Sequence, residues 1–238
     1  MPHIYYTCYT PVSASIADIS QQEHLLGRQL LLRGLNDLLS SLSSDSQVYP
    51  SAPAVLPAIA LTATGKPYLP DFPNVHFNIT HCDGLVACAF DHHEIGLDAE
   101  LPGYFPEVLI GRALSDKEKH CLITAGSDEC LRQERFYRFW TLKEAYVKKS
   151  GIGVDTDLKA FSFSPEAVAE ASALSRKTTE TIFRIPCSDP SVLCYQTRLP
   201  YGQILSCCAD KTAGEPILHP CTGKTSGNAG LPPDSKKT

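Results

Sequence analysis

The chain has 238 residues, which is long enough for one large domain or two small ones with a substantial hydrophobic core. Hydrophobic residues make up 43% and charged residues 20%, values that are typical of a globular protein and argue against a disordered or fibrous chain. The net charge of −5 gives no overall attraction to nucleic acid or to an anionic membrane, so we expect neither as a partner. Any phosphate ligand must therefore be met by a local group of basic residues.

The N-terminus and the ten cysteines predict a cytoplasmic protein. No basic stretch followed by an apolar segment marks a signal peptide, and no apolar run approaches the roughly 18–20 residues that a membrane span needs. Several cysteines lie within apolar stretches, where free thiols behave as small hydrophobic side chains. We therefore expect reduced thiols rather than disulfides.

The first predicted element is an amphipathic helix. Ser20 and Glu23 have the Ser-x-x-Glu spacing of a capping box, which predicts that the helix begins there and runs on from His24. Its apolar stripe consists of Leu31, Leu35, Leu38 and Leu42. Residues 43–57 are rich in Ser, Pro and Ala and are predicted to form a loop.

Short strands and a second group of helices follow. Strands are predicted at residues 75–79, 85–90 and 94–98, before a Pro- and Gly-containing break at residues 101–106 that is our candidate boundary between two halves. Helices are predicted from Ser115 and over about residues 133–149. Further strands are predicted near residues 161–163, 182–185, 194–198 and 204–209. The similar segments 84–90 and 202–209 are compatible with two related subdomains. From residue 213 the composition predicts a disordered tail.

Two acidic clusters about 45 residues apart are the strongest functional signal. Asp98 and Glu100 end a predicted strand and point to the same side. Glu144 and Lys148 lie four residues apart on one helix face, next to Lys143 in the apolar arc. Three carboxylates with nearby lysines can hold a divalent cation and the phosphates that it bridges. The alternative is a helical ion pair beside the core, with Lys143 extending its charged end to solvent.

Two segments before the acidic strand add polar groups. Residues 65–67, Gly-Lys-Pro, form a turn that carries a lysine, and residues 77–81, Phe-Asn-Ile-Thr-His, bring a strand to a polar end. Taken singly, each has a plain alternative, a simple turn and a loop histidine with its hydrogen bonds satisfied.

Taken in order, these segments resemble the Sfp-type 4′-phosphopantetheinyl transferase superfamily. Its motifs run Gly-Lys-Pro, Phe-Asn-(Ile/Leu)-Ser-His, (Ile/Val)-Gly-(Ile/Val)-Asp-x-Glu and Trp-x-x-Lys-Glu-(Ala/Ser)-x-x-Lys. The chain matches them at residues 65–67, 77–81, 95–100 and 140–148. Thr80 replaces the usual Ser and keeps the hydroxyl, while Leu97 and Ala99 replace β-branched residues.

The resemblance implies an α+β fold of two pseudo-symmetric α/β subdomains, with the active site between them. We place these subdomains at residues 1–102 and 103–212, followed by the tail at 213–238. It also implies a monomeric enzyme that transfers 4′-phosphopantetheine from coenzyme A to a serine of an apo acyl or peptidyl carrier protein, releasing 3′,5′-ADP. The carrier could serve fatty-acid, polyketide or nonribosomal-peptide synthesis.

The resemblance further assigns roles to single residues. Mg²⁺ would be held by Asp98, Glu100 and Glu144, with Lys148 on the pyrophosphate and Glu144 as general base. The residues implied in coenzyme A binding are Arg28, Lys66, Pro67, Asn78, Thr80, His81, Asp98 and Lys148.

Several alternatives remain open at this point. Arg28 could be an ordinary exposed helix residue, and Glu118 could close a capping box with Ser115 rather than lie near the metal. An arginine group could meet an acidic carrier helix or simply face solvent; it consists of Arg132, Arg135 and Arg138. The competing functions are a Mg²⁺-dependent nuclease and a non-catalytic module that binds coenzyme A or a carrier protein.

Overall fold

The computed structural model describes residues 1–42, 53–153 and 156–221, and only the backbone of residues 41 and 42. The strands are β1 (His3–Cys8), β2 (Ala60–Leu61), β3 (Pro67–Tyr68), β4 (His76–Cys82), β5 (Leu85–Asp91), β6 (Gly96–Glu100), β7 (Phe183–Ile185), β8 (Val192–Arg198), β9 (Ile204–Asp210) and β10 (Ile217–Pro220). The helices are α1 (Ile16–Leu42), α2 (Val108–Ala113), α3 (Asp116–Ile123), α4 (Glu129–Ser150) and α5 (Pro165–Ser175). This confirms the predicted α+β class.

Two four-stranded sheets organise these elements. The first has the order β10-β1-β5-β4 and the second the order β6-β9-β8-β7, while β2 and β3 form a separate hairpin. All neighbouring strands pair antiparallel except β1 and β10, which run parallel. The tight connection between β4 and β5 is Asp83-Gly84, in which Gly84 adopts a φ of 71° that glycine accommodates without strain.

The core has four layers, helix, sheet, sheet and helix. Helix α1 packs its leucines on β5, as Leu31 and Leu35 do in a cluster with Phe90. Helix α4 covers the second sheet with Phe139 and Leu142. A third cluster joins the remaining sheet faces and consists of Ile4, Tyr6, Leu85, Ala87, Ala89, Ile95, Leu97, Ala99, Leu199, Leu205 and Cys207. The helices therefore lie outside, and the two sheets pack together mainly through leucine, alanine and isoleucine side chains.

The beginning of the first helix differs from the prediction. Helix α1 begins at Ile16, so Ser20 and Glu23 lie inside it and form no capping box. The Oγ atom of Ser15 accepts a hydrogen bond of 3.5 Å from the backbone N–H of Asp18, which is the N-terminal capping interaction. Part of the predicted 43–57 loop, residues 43–52, lies outside the described residues.

Two further predictions need correction. Residues 161–163 form no strand, because the N–H of Phe163 is donated to Glu118, and only one bridge joins Phe163 to Cys187. The predicted tail does not begin at residue 213, because Ile217–Pro220 forms β10 and pairs with β1 of the first sheet. Residues 222–238 lie outside the described part of the chain.

The change from the first sheet to the second occurs before residue 102 in the sequence. Strand β6, which we assigned to the N-terminal subdomain, pairs with β9 in the second sheet. The division at 102/103 stays a prediction. Among the described residues, no helix combines the length and apolar character that crossing a membrane requires.

Candidate active site

The site is built where β6 passes under α4. Gly96 makes this approach possible, since a Cβ at that position would lie 2.0 Å from the carbonyl oxygen of Ala145. Any larger residue would push the strand away from the helix. The contact brings the end of β6, with Asp98 and Glu100, beneath the α4 turn that carries Glu144 and Lys148.

Asp98 and Lys148 form the central contact of this site. The Nζ atom of Lys148 lies 2.6 Å from Oδ1 of Asp98, and the carboxylate is 8% exposed. Burial raises the pKa of Asp98 above its usual value, although the Lys148 charge acts in the opposite direction. The other carboxylate oxygen, Oδ2, is buried without a hydrogen-bond partner among the described residues. A buried anionic oxygen in this situation is suited to a ligand that supplies positive charge.

Glu100 and Glu144 share this electrostatic environment. Burial, followed by the Asp98 charge, raises the pKa of Glu100 to about 7. The same two causes, in the same order, raise the pKa of Glu144. The Lys148 charge lowers the pKa of all three carboxyls.

The predicted metal ligands are therefore near one another but are not arranged around a common point. Among the described residues, no three His, Cys, Asp or Glu side chains are placed so that they could hold a metal ion as they stand. Their chemistry nevertheless fits Mg²⁺, which takes carboxylate oxygens together with water and phosphate oxygens. The unpartnered Oδ2 of Asp98 is the atom that most clearly fits a cation.

Asn78 and Thr80 hold β6 in place. Oδ1 of Asn78 accepts a hydrogen bond of 2.9 Å from the N–H of Leu97, and Oγ1 of Thr80 accepts one of 3.2 Å from the N–H of Ala99. Thr80 Oγ1 also lies 3.4 Å from Oδ1 of Asp98, to which it donates its proton. These side chains join the edge strand of the first sheet to that of the second, on either side of Asp98.

An open cleft of about 320 Å³ brings several predicted residues together. Its lining includes Lys66, Pro67, Asn78, Glu144 and Lys148. These residues come from the β2–β3 hairpin, the first sheet and α4, so the cleft lies where the two sheets meet.

Four predicted coenzyme A residues do not line this cleft: Thr80 and Asp98 form the buried contact described above, and the other two are Arg28 and His81. Arg28 is half-buried on α1. His81 has a 59% exposed side chain, and its Nδ1 lies 3.2 Å from the carboxylate of Glu23. Among the described residues, neither Arg28 nor His81 forms an ion pair with the site carboxylates, and their predicted roles stay predictions.

The Lys66 ammonium has three acceptors. It donates to the carbonyl oxygen of Lys149 at 2.8 Å, to that of Ile95 at 3.3 Å, and to the carboxylate of Glu94. Glu94 also lies 3.1 Å from Nδ1 of His76. The motif spacing predicts no role for Glu94 or His76, because it does not show that Glu94 meets a lysine 28 residues earlier in the chain.

Glu118 and Lys143 form a second, separate ion pair with both side chains fully buried. The capping box of Ser115 and Glu118 is present, and Glu118 also accepts a hydrogen bond from Phe163 N–H. This confirms the helix-cap interpretation. The proposal that Lys143 extends to solvent is wrong, because its ammonium donates to the carbonyls of Leu158 and Phe161.

The arginine group on α4 does not form one exposed face. Arg138 is fully buried and donates to Glu134, Gln196 and Ser175. Arg135 donates to the carbonyl oxygen of Cys121 at 2.7 Å. Both are therefore parts of the C-terminal half's internal structure rather than a surface for an acidic helix.

Comparison with known proteins agrees with the motifs. Residues 94–187 match the family model of the 4′-phosphopantetheinyl transferase superfamily, and this range includes Asp98, Glu100, Glu144 and Lys148. Residues 94–187 are therefore similar to that superfamily, and the relatives that match this chain support the predicted resemblance to its Sfp type.

Individual proteins similar to this chain are named as phosphopantetheinyl transferases. The 4′-phosphopantetheinyl transferase Sfp of Bacillus subtilis (strain 168) is 38% identical over 98 residues, covering 41% of this chain and 43% of the relative. The transferase gsp of Aneurinibacillus migulanus is 26% identical over 145 residues, covering 61% of this chain and 55% of gsp. The human L-aminoadipate-semialdehyde dehydrogenase-phosphopantetheinyl transferase is 34% identical over 115 residues, covering 43% and 37%. The chain thus aligns with about half, or less, of the length of these relatives.

Proposed function

We propose that this protein transfers 4′-phosphopantetheine from coenzyme A to a serine of an apo acyl or peptidyl carrier protein and releases 3′,5′-ADP. The observation that carries the proposal is the placement of Lys148, Asp98 and Glu144 together beside a cleft that Lys66 also lines. Relatives named as 4′-phosphopantetheinyl transferases support the same activity.

The reaction needs an attacking oxygen, a leaving group and a proton acceptor. The carrier serine oxygen bonds to the β-phosphorus as the bond from that phosphorus to the bridging oxygen breaks, and 3′,5′-ADP departs with the electron pair. Lys148 donates hydrogen bonds to the pyrophosphate and stabilises the charge that develops on the leaving group.

Glu144 is the proposed base for the serine proton. Its raised pKa makes the carboxylate more basic than that of an ordinary glutamate, which is the direction that a proton acceptor requires. Asp98 holds Lys148 at the cleft, so the cation is oriented before the substrate arrives.

Asp98, Glu100 and Glu144 are the residues that would hold Mg²⁺. The bound ion would neutralise the pyrophosphate charge and fix its geometry. This assignment rests on three carboxyls with raised pKa values and on the unpartnered Oδ2 of Asp98. Relief of their mutual repulsion is what a bound cation would provide.

We further propose a cytoplasmic monomer whose two α/β halves are pseudo-symmetric. The ten free thiols are consistent with a reducing compartment. Two four-stranded sheets, each covered by one long helix, are consistent with related halves.

Intact-mass spectrometry of an apo carrier protein tests the function. We expect a gain of about 340 Da, one phosphopantetheine group, after incubation with the protein, coenzyme A and Mg²⁺. Lys148→Met is the matched negative control. Acyl and peptidyl carriers should be tried in parallel. If coenzyme A binds but no carrier gains mass, the protein is a non-catalytic binding module rather than a transferase. Mg²⁺-dependent cleavage of DNA or RNA would favour the nuclease function.

A further inference from the structure

Glu94 forms an ion pair with the ammonium of Lys66, the same ammonium that an anionic ligand in the cleft would contact. Lys66 lines both the cleft beside Lys148 and a neighbouring cavity of about 350 Å³, and Glu94 lines the latter. An anion entering either space therefore meets the Lys66–Glu94 pair.

The hydrogen-bond count at Lys66 limits what it can bind. A lysine ammonium has three N–H donors, and three acceptors are present, Glu94 and the carbonyls of Ile95 and Lys149. A phosphate oxygen can accept a hydrogen bond from Lys66 only if one of these contacts is given up. The side chain is 12% exposed, so water does not provide a spare position.

The three acceptors are not equally replaceable. The carbonyl of Lys149 lies in the last turn of α4, where it lacks an intrahelical donor, and the carbonyl of Ile95 directly precedes β6. Both are fixed by the backbone. Glu94 is a 52% exposed side chain that can rotate away at little cost, since exposed ion pairs contribute little to stability.

Glu94 also has a second partner, which contacts the carboxylate oxygen that does not face Lys66. Its other carboxylate oxygen lies 3.1 Å from Nδ1 of His76, whose side chain is 30% exposed. Leaving Lys66 therefore does not leave the carboxylate without a hydrogen bond.

We propose that Glu94 is an internal competitor for the Lys66 ammonium and sets the affinity of the site for the phosphates of its nucleotide ligand. The carboxylate is paired with Lys66 while the site is empty, and a phosphate then exchanges with it. This inference rests on the proposed function for the identity of the ligand, and the exchange itself concerns only an anion and Lys66.

Isothermal titration calorimetry with 3′,5′-ADP, at low salt and without Mg²⁺, tests the exchange directly. We expect Glu94→Gln to bind about 3- to 10-fold more tightly than the unaltered protein, because the competing charge is gone and the side chain keeps its shape. Glu170→Gln, the same change at an exposed position of α5, should bind as the unaltered protein does.

Three comparisons sharpen the test. Adenosine, which has no phosphate, should bind equally to the unaltered protein and to Glu94→Gln. The Glu94→Gln effect should disappear in a Lys66→Met background, because a competitor has no influence once its target is removed. Glu94→Asp, which shortens the competing side chain, should give an intermediate affinity.

Unchanged or weaker nucleotide binding by Glu94→Gln overturns the proposal, and weaker binding would mean that Glu94 helps to hold the ligand. The outcome is separable from that of the transfer assay. Tighter nucleotide binding without carrier modification would keep the competitor role and reject the transferase. Carrier modification together with an unchanged nucleotide affinity in Glu94→Gln would keep the transferase and reject the competitor role.

Discussion

The buried Glu118–Lys143 pair gives the sharpest prediction about stability. Both side chains are 0% exposed, and Nζ of Lys143 lies 3.1 Å from Oε2 of Glu118. Replacing Glu118 with Gln keeps the shape but removes the carboxylate that forms the ion pair with this ammonium. Because charges in the interior are tolerated only when paired, we expect a large loss of stability.

The magnitude follows from what remains around Lys143. Removing one partner of a buried pair destabilises by roughly 3–5 kcal/mol. Two carbonyl contacts, to Leu158 and Phe161, and the Phe161 ring at 4.9 Å persist, so the lower end applies. We expect about 3 kcal/mol, which corresponds to a fall in Tm of roughly 6–12 °C for a chain of this length.

The pH dependence provides an independent check. Burial already lowers the pKa of Lys143, and the Glu118 charge opposes that shift. Without Glu118 the folded-state pKa falls further, while the unfolded chain keeps its proton up to about pH 10. Since the unfolded state then binds more protons than the folded state, stability rises with pH across this window. The deficit of Glu118→Gln should therefore narrow at alkaline pH.

Urea denaturation at neutral pH and near pH 9.5 measures both effects, with Glu170→Gln as the control for an exposed glutamate. Adding Lys143→Met to Glu118→Gln should recover part of the loss, because the unpaired charge is then gone. A deficit below about 1 kcal/mol, or one that widens with pH, would refute the reasoning.

Three further predictions concern the site. Asp98→Asn should reduce transfer by about 100-fold or more in the carrier mass assay while Tm stays within a few degrees, and full activity would contradict the Asp98 assignment. Arg28→Ala should raise the KM for coenzyme A more than it lowers kcat; an unchanged KM would return Arg28 to an ordinary helix residue. Burial is the main cause that raises the pKa of Glu100 to about 7. Protonated Glu100 therefore stabilises the folded protein below the ordinary pKa of a glutamate, and this contribution is lost as pH rises through 7. Urea midpoints should therefore fall less between about pH 5 and 8 in Glu100→Gln than in the unaltered protein, and parallel curves would exclude the shift.

Local sequence signals predicted the part of the fold that depends on neighbouring residues. The strands at residues 75–79, 85–90 and 94–98 appear as β4, β5 and β6 with ends displaced by a few residues. The Ser115 capping box was predicted in the same way, because all its groups lie within four residues. Strand β1 has a β-branched and aromatic composition that could have indicated it, but it was not predicted.

Contacts between distant residues could not be predicted from these signals. Strand β10 lies in a Pro-rich segment and is stabilised by pairing with β1, more than 200 residues earlier. Lys143 appears in the sequence as a charge within an apolar arc. Only the fold shows that Glu118 and two carbonyls surround it. The proximity of Glu94 to Lys66 likewise depends on how the β2–β3 hairpin meets the segment between β5 and β6.

Thr80 shows how a predicted ligand-binding residue can have a structural role that is testable without ligand. Its Oγ1 accepts the N–H of Ala99 and donates to Asp98, so it fixes the strand that carries the site carboxylates. Thr80→Val keeps the shape but leaves a buried N–H unpaired, which should destabilise the protein by about 1–3 kcal/mol, whereas Thr80→Ser keeps the hydroxyl and should be close to neutral. If Thr80 served only to bind coenzyme A, the ligand-free stability of Thr80→Val would be unchanged and only the KM would rise. Loss of stability together with a lower kcat would instead mean that Thr80 acts by positioning Asp98.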